Sequence, residues 1–230
     1  MRKTFLAITL FLAFSKAALA QFGNCTASEM RTYVDSATGN TITMLTDTMK
    51  NDRFLYQTDP MWTADGKYLL FRSSSRGNDK EVESTLPNGE KRKWTPTQIY
   101  FIEMATGKII QATEGPNLGS AFLANKTNRM FVSRKEKENW NMYVMDLNKF
   151  FADVKQGKVG KPSAYETFIG TFPTEMGRPG GYAVDCNDDY AYITVEREGT
   201  EEEKERMMKN AFLPESNQAG KDKANSLRNS

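Results

Sequence analysis

A pattern of two short apolar strands joined by a polar turn occurs three times in this chain, at intervals of about 60 residues. The copies begin at Met61, Ala121 and Tyr182, and their turns contain Asp65-Gly66, Asn128 and residues 187–189. Asp, Asn and Gly accept the left-handed backbone of tight turns, so each copy is predicted to be a β-hairpin. A repeat of this period restricts the chain to an array of similar β units.

The first two copies continue into a second hairpin. One has strands at 98–103 and 109–113 around a turn at 105–108, and the other begins at 141–146 and continues through a longer, charged turn. Two hairpins per unit make a four-stranded antiparallel sheet, and such sheets stack radially as propeller blades. A plain β-sandwich whose hairpins are similar by accident is the alternative.

The predicted fold is therefore all-β: an incomplete β-propeller of four-stranded antiparallel blades. We count about two and a half blades, plus a closing strand at 41–47 that resembles the end of the first unit at 109–114. Because closed propellers have 4–8 blades, the sequence predicts the front part of a longer propeller, or a half-propeller completed by another chain.

The chain divides into four predicted regions. These are a signal peptide at 1–20, an N-terminal segment with the closing strand at 21–57, a partial propeller at 58–198, and a charged helix with a disordered tail at 199–230. The first region has a basic start, a short apolar run at 4–14 and small residues before a cut after Ala20. A periplasmic or secreted bacterial protein is expected, with no membrane attachment after signal removal, because no later stretch is apolar enough to span a bilayer.

Charge and histidine content exclude two classes of function. The formal charge of +2 becomes −1 when Arg2, Lys3 and Lys16 leave with the signal peptide, so a nucleic-acid partner is not expected. The sequence contains no histidine, so this chain alone cannot supply an imidazole base, a histidine metal ligand or a Ser-His-Asp relay. Asp59, Asp65 and Asp146 are interpreted as turn residues, and no metal site is predicted.

Cys25 and Cys186 are the two cysteines of the chain. In an exported protein they could form one disulfide that ties the N-terminal segment to a distant strand. They could equally be two unpaired thiols, and the sequence leaves both alternatives open.

Residues 59–71 and 99–113 resemble the TolB-type, WD40-like propeller repeat, which pairs a strand–Asp-Gly–strand hairpin with a strand–Thr-Gly–strand hairpin. The segment before them, from Glu29 through Thr38-Gly39 to Asp47, is more particular. Together with the first unit it resembles the N-terminal part of the oligogalacturonate lyase family, whose members are seven-bladed propellers that degrade pectin fragments.

The resemblance implies a secreted polysaccharide lyase that cleaves oligogalacturonate by β-elimination, with this chain as its front part. In that family a histidine base and a manganese site with several histidine ligands lie in later blades. The chain itself is expected to hold no cofactor and to be inactive alone. The alternative is a non-catalytic TolB-like propeller that binds a protein or a cell-envelope partner.

Arginines recur at or just after the second strand of each unit, where propeller loops open onto the central channel. Guanidinium groups suit bidentate recognition of uronate carboxylates, and Trp140 or Tyr56 could stack on a sugar face. Oligogalacturonate or another acidic oligosaccharide is therefore the predicted ligand, although charges after a strand end are also ordinary solvated loop residues. The candidate substrate-binding residues are Arg53, Gln57, Arg72, Arg76, Arg134, Trp140, Arg178 and Arg197.

Alternating aromatic residues are predicted to form the core between blades rather than the site. They are Trp62, Phe71, Tyr100, Phe101, Phe131 and Tyr143. An open stack of blades also leaves an unpaired strand edge, so self-association through that edge is expected.

Overall fold

A computed structural model describes residues 22–57, 59–77, 81–85, 89–172 and 178–196, with the side chains of the last range described over 180–194. The predicted signal peptide and the predicted charged helix and tail at 199–230 lie outside these residues. The described part is mostly β, as predicted, and contains one α-helix that was not predicted at this position. The strands are β1 Cys25–Thr26, β2 Arg31–Val34, β3 Thr41–Met44, β4 Asp52–Arg53, β5 Tyr68–Ser73, β6 Val82–Thr85, β7 Lys91–Trp94, β8 Gln98–Glu103, β9 Ile109–Gln111, β10 Leu118–Leu123, β11 Arg129–Glu136, β12 Asn139–Asp146, β13 Glu166–Thr171, β14 Arg178–Val184 and β15 Ala191–Glu196. The helix α1 spans Leu147–Gln156.

The first sheet has the strand order β1-β9-β8-β5-β4, and all its described pairs are antiparallel. The predicted hairpin at Asp65-Gly66 is confirmed, although its first strand is reduced to a single bridge between Trp62 and Leu69. The predicted hairpin of β8 and β9 is confirmed as well. Between β5 and β8 the chain makes an additional hairpin of β6 and β7, which the sequence analysis did not predict.

The second sheet has the order β10-β11-β12-β13 and is antiparallel throughout. The connection from β12 to β13 was predicted to be a charged turn, and this was wrong because it contains α1. The Asp146 carboxylate accepts a hydrogen bond from the Lys149 amide at 3.1 Å and caps the helix. Gly157 ends the helix in the left-handed conformation, with φ 66°.

The third sheet consists of β14 and β15, and it confirms the third predicted hairpin. Its turn is attached to the turn of the second sheet through Asp188. The Asp188 carboxylate accepts hydrogen bonds from the backbone amides of Asn125, Lys126 and Thr127 at 2.6–2.8 Å. The turns of the first and second sheets are linked in the same region, because the Asp65 amide donates to the Asn128 side-chain oxygen at 3.2 Å.

Apolar clusters fill the spaces between successive sheets. The first and second sheets share a core that includes Leu70, Phe101, Val132 and Met145, and α1 closes one side of it with Phe150. A smaller core lies between the second and third sheets and consists of Phe122, Ala124, Phe131 and Met142, with Tyr182, Val184 and Ile193 packed against them. Stacking of this kind follows from burying both faces of each sheet.

A strand is present within the predicted closing strand at 41–47, and its pairing with a last blade stays a prediction. Residues 41–44 form β3, which pairs with β2 in a separate, largely exposed hairpin and not with either larger sheet. Two other strands of the N-terminal segment join the first sheet at its opposite edges, since β1 pairs with β9 and β4 pairs with β5. An apolar strand pattern specifies a strand but not its partner, so the pairing of β3 with β2 could not be predicted from the pattern.

The predicted core residues are buried with two exceptions. Phe71, Tyr100, Phe101 and Phe131 are buried, Tyr143 is partly buried, and Trp62 is 48% exposed. The assignment of Trp62 to the core was therefore wrong. None of the helical segments in the described ranges has the length and apolarity needed to cross a bilayer.

Candidate functional site

A cleft of about 980 Å³ opens at the end of the sheets opposite the hairpin turns. It is positioned by strand direction, because β5 ends there and β10 and β14 begin there. The β6–β7 hairpin forms a further wall with Ser84, Arg92 and Trp94. The cleft is therefore assembled from all three sheets and from the additional hairpin.

Three arginines line this cleft: Arg53 on β4, Arg72 on β5 and Arg92 on β7. Arg53 and Arg72 are direct partners in the antiparallel register, so their side chains leave the same face of the sheet. Arg53 Nε donates to the Asn51 side-chain oxygen at 3.3 Å. Within the described ranges none of the three forms an ion pair, and Asp59 is the acidic residue in the cleft wall. The cleft consequently has an excess of positive charge.

Aromatic side chains flank these arginines. Tyr56 is 68% exposed and Trp94 is 37% exposed, and both line the cleft. The Tyr182 hydroxyl lies 2.8 Å from Ser133 Oγ, which fixes the third sheet against the second at the cleft wall. Exposed aromatic rings beside unpaired guanidinium groups can stack on a planar or sugar face while a cation holds an anionic substituent.

Close packing behind the wall explains the position of Trp140. A Cβ atom at Gly119 would lie 2.5 Å from Ser133 Oγ and 2.6 Å from the Trp140 ring. Trp140 therefore packs behind the cleft wall, and it is not among the residues that line the cleft. The exposed aromatic residues of the cleft wall are instead Tyr56, which was also predicted from the sequence, and Trp94, which was not.

The structure places Arg76 in an internal ion-pair cluster and not in the cleft. Its guanidinium contacts Glu29 Oε2 at 2.6 Å and Asp52 Oδ2 at 2.5 Å, and its side chain is 5% exposed. Burial would lower the pKa of Arg76, but the hydrogen bonds with Asp52 and Glu29 outweigh it and raise that pKa. The same contacts tie the N-terminal segment and β4 to the end of β5.

Arg134 is also occupied within the protein. Both of its terminal nitrogens bind the Glu166 carboxylate, one of them at 2.7 Å, and the Glu166 side chain is 3% exposed. The guanidinium also lies 5.4 Å from the centre of the Tyr143 ring. The pairing with Glu166 outweighs burial, so the pKa of Arg134 is raised. Arg134 therefore joins β11 to β13 and is absent from the cleft wall.

The remaining predicted residues lie near the cleft or outside the described part. Gln57 is exposed beside Tyr56 but does not line the cleft. Arg178 is on β14, two residues before Gly180 of the cleft wall, and its side chain is not among those described. Arg197 lies outside the described residues. Cys25 and Cys186 are both free and exposed, so the disulfide that the sequence allowed is not formed.

The cleft wall also contains three residues that were not predicted as site residues from the sequence: Asp59, Arg92 and Trp94. Arg92 and Trp94 belong to the run Lys91-Arg92-Lys93-Trp94, a basic segment ending in an aromatic residue. That composition was a usable signal, but the segment lies outside the repeated hairpins on which the interpretation was based. Asp59 was interpreted only as a turn residue.

The described residues do not fit a manganese ion. Manganese prefers carboxylate, carbonyl and imidazole ligands, and no group of three or more His, Cys, Asp or Glu side chains occurs in the described part. The cleft wall offers Asp59 as its carboxylate, and the sequence has no histidine.

The fold and the cleft together define an array of stacked antiparallel sheets with a cationic cleft at one end. The structure is similar to that of an oligogalacturonate lyase in complex with manganese, with 20% sequence identity and a TM-score of 0.50 over 73% of this chain. An oligogalacturonate lyase from Vibrio parahaemolyticus has 21% identity and a TM-score of 0.49 over 72% of this chain. This chain spans 36% of the length of the first lyase and 35% of the second.

No protein-family model matches the chain, and no curated protein matches it. The resemblance to oligogalacturonate lyases that the sequence predicted is confirmed by the structural comparison. At 20% identity the similarity extends to the fold, so the function has to be argued from the cleft itself.

Proposed function

We propose that this chain is the front part of an exported β-propeller related to oligogalacturonate lyases and that its cleft binds oligogalacturonate or another acidic oligosaccharide. The similarity in fold supports the relationship. The chemistry of the cleft supports the ligand, because it combines three arginines that lack ion-pair partners in the described part with exposed aromatic rings.

The observation that carries this proposal is the cross-strand pair of Arg53 and Arg72. Like charges directly opposite each other in an antiparallel pair are destabilising. Arg76 and Arg134 have buried carboxylates as partners, whereas the cleft arginines have none within the described ranges. A carboxylate-bearing ligand would relieve the repulsion and would accept charge-assisted hydrogen bonds.

For the whole protein we propose β-elimination, in which a base removes the proton next to a uronate carboxylate. The cleft arginines would hold carboxylates of the sugar chain, and the aromatic rings would hold its faces. The base and the manganese of that reaction would belong to residues outside this chain. This chain alone is expected to bind the oligosaccharide without cleaving it.

The first experiment measures binding of trigalacturonate to the purified chain by calorimetry. Arg72→Gln is expected to weaken binding by about 1–2 kcal/mol, roughly five- to thirtyfold in Kd, because it removes a charged hydrogen-bond donor. Arg31→Gln, on the exposed strand β2, is the matched control and should leave the Kd unchanged. Fully methyl-esterified trigalacturonate, which lacks the carboxylates, should bind much more weakly.

Equal affinity for the acid and for its methyl ester would contradict the proposal. A propeller that binds a protein or another cell-envelope component would then be the better account. Export is tested separately by N-terminal sequencing of the protein from the periplasm or medium, where a mature chain starting at Gln21 is expected.

A further inference from the structure

The β6–β7 hairpin belongs to a connection that leaves the first sheet and returns to it at a single point. Ser73, at the end of β5, and Gln98, at the start of β8, are direct partners in the antiparallel register. The connection lines the cleft at both of its ends, through Ser74 after β5 and Thr97 before β8. The hairpin is therefore an addition to the sheet that is anchored at the cleft.

The two faces of this hairpin differ in charge. Arg92 and Trp94 are two residues apart on β7, so their side chains leave the same face, and Ser84, opposite Arg92, shares it. All three residues line the cleft. On the other face, Lys91 and Glu83 form an ion pair at 2.7 Å. Glu83 is the acidic residue of β6 and β7, so the pairing leaves Arg92 without an ion-pair partner among the residues that the structure describes.

Arg92 and Trp94 together suit one uronate unit of an oligosaccharide. Trp94 is partly buried, and its exposed part lines the cleft. Residues two apart on a strand are separated by about 7 Å. The carboxylate of a uronate is bonded directly to its sugar ring, so a ring stacked on Trp94 would place a carboxylate within reach of the Arg92 guanidinium.

This pair is structurally separate from Arg53 and Arg72. Those two residues lie opposite each other on β4 and β5 of the first sheet. In the described part of the chain, β6 and β7 pair with each other and with no strand of that sheet. The apolar clusters found among the described residues also contain no member from either strand of the hairpin. Substitutions on the cleft face of the hairpin are therefore expected to leave the fold intact.

We propose that the β6–β7 hairpin determines specificity by adding a second uronate subsite to the cleft. In this subsite Trp94 would stack on a sugar ring and Arg92 would bind its carboxylate. The inference rests on the proposed function, because it concerns which acidic oligosaccharides the same cleft prefers. A ligand long enough to contact both the hairpin and the pair of Arg53 and Arg72 would bind more tightly than a short one.

Calorimetry with trigalacturonate and hexagalacturonate tests the second subsite on the purified chain. Arg92→Gln and Trp94→Ala are each expected to weaken hexagalacturonate binding about five- to tenfold, because each removes contacts that the longer ligand makes at the hairpin. Trigalacturonate is expected at Arg53 and Arg72, so its Kd should change less than about twofold in both variants.

Lys93→Gln is the matched control. It removes a positive charge from the same strand as Arg92→Gln, but Lys93 pairs with Glu83 on the opposite face and does not line the cleft. Neither Kd should change in this variant. The titrations are made at about 0.15 M salt, where a Debye length of about 8 Å limits the long-range effect of a lost charge.

Tryptophan fluorescence reports occupancy of the hairpin subsite directly. Hexagalacturonate should change the emission of the unaltered chain, and the change should disappear in Trp94→Phe, which retains Trp62 and Trp140. Trigalacturonate should leave the emission unchanged. Because Trp94→Phe keeps an aromatic face, its affinity for hexagalacturonate should stay within about twofold of the unaltered chain, unlike that of Trp94→Ala.

The outcomes separate this inference from the proposed function. Unchanged hexagalacturonate binding in Arg92→Gln and Trp94→Ala would overturn the second subsite, even if Arg72→Gln weakens trigalacturonate binding and the proposed function stands. Equal losses with both oligosaccharides would also overturn it, because the hairpin would then belong to the same subsite as the sheet arginines. If the unaltered chain binds neither oligosaccharide, the proposed function is refuted and the subsite with it.

Discussion

Arg72 and Arg76 are four residues apart near the end of β5, but their surroundings are opposite. Arg72 is exposed in the cleft, whereas Arg76 is buried between Glu29 and Asp52. The partners of Arg76 lie 47 and 24 positions away in the chain, and Glu166 lies 32 positions from Arg134. Sequence position could therefore identify arginines that follow a strand. It could not distinguish the arginines that pair with carboxylates of the protein itself from those that line the cleft.

Arg76→Met is expected to destabilise the chain by about 2 kcal/mol, because it leaves two carboxylates without their shared cation. This loss of stability is smaller than that expected for a fully buried ion pair, because the Glu29 side chain is 23% exposed to solvent. Arg72→Met is the matched control, and its effect on the free energy of unfolding should stay below about 0.5 kcal/mol. Urea denaturation of the two variants measures the difference, and equal midpoints would contradict it.

The same cluster makes stability depend on pH. The hydrogen bond from Arg76 lowers the pKa of Glu29 from its usual 4.5, against the effect of burial, and the Asp47 amide adds to the lowering. Since the pKa is lowered in the folded state, the stabilisation is complete above 4.5 and is lost as the pH falls through the lowered value. The free energy of unfolding should thus decrease on acidification below 4.5, with a shallower slope in Arg76→Met.

At the level of elements, the repeated hairpins could be predicted because turn chemistry and strand periodicity are local signals. The partner of a strand is not local, so the sequence indicated a strand within 41–47 but not the hairpin in which β3 pairs with β2. The helix α1 was missed although Leu147, Phe150 and Phe151 have helical spacing, because the connection was interpreted as a turn by analogy with the first unit. The elements that depart from the repeat, such as α1, were therefore the hardest to predict from the sequence.

Phe150→Ala tests whether α1 is part of the core between the first two sheets. The Phe150 side chain is fully buried in that core, so truncation should cost about 3–5 kcal/mol through lost burial and a residual cavity. Phe168→Ala on β13 is the control with the same chemical change, because Phe168 is 53% exposed. Thermal unfolding of both variants measures the contrast, and a loss in Phe168→Ala as large as in Phe150→Ala would show that α1 has no special role.

At the scale of the whole molecule, the cleft depends on the relative placement of three sheets and one additional hairpin. The sequence predicted the repeated sheets and an arginine-rich end, and it identified Arg53, Arg72 and Tyr56 among the cleft residues. It could not place Arg92 and Trp94, since the β6–β7 hairpin has no counterpart in the repeat. The lining of the cleft therefore depends on the tertiary arrangement of the sheets, and strand patterns in the sequence predict only part of it.

Among the described residues the stack of sheets ends at β15, and this predicts self-association of the chain. Within the described ranges no strand pairs with the outer edge of β15. Tyr190, directly before the strand, is 66% exposed, and Tyr192, within it, is 60% exposed. An unpaired edge next to exposed aromatic side chains is a template for pairing with another chain. Sedimentation velocity should therefore show a mean mass that rises with protein concentration.

The double variant Tyr190→Lys and Tyr192→Lys should shift this association to higher concentration, because positive charge at an edge opposes strand pairing. Tyr33→Lys is the control, since Tyr33 is 47% exposed on the separate hairpin of β2 and β3. An equal shift in Tyr33→Lys would show that the association does not depend on β15. If the unaltered chain stays monomeric at every concentration, the prediction is refuted. The edge of β15 would then be protected by other parts of the same molecule.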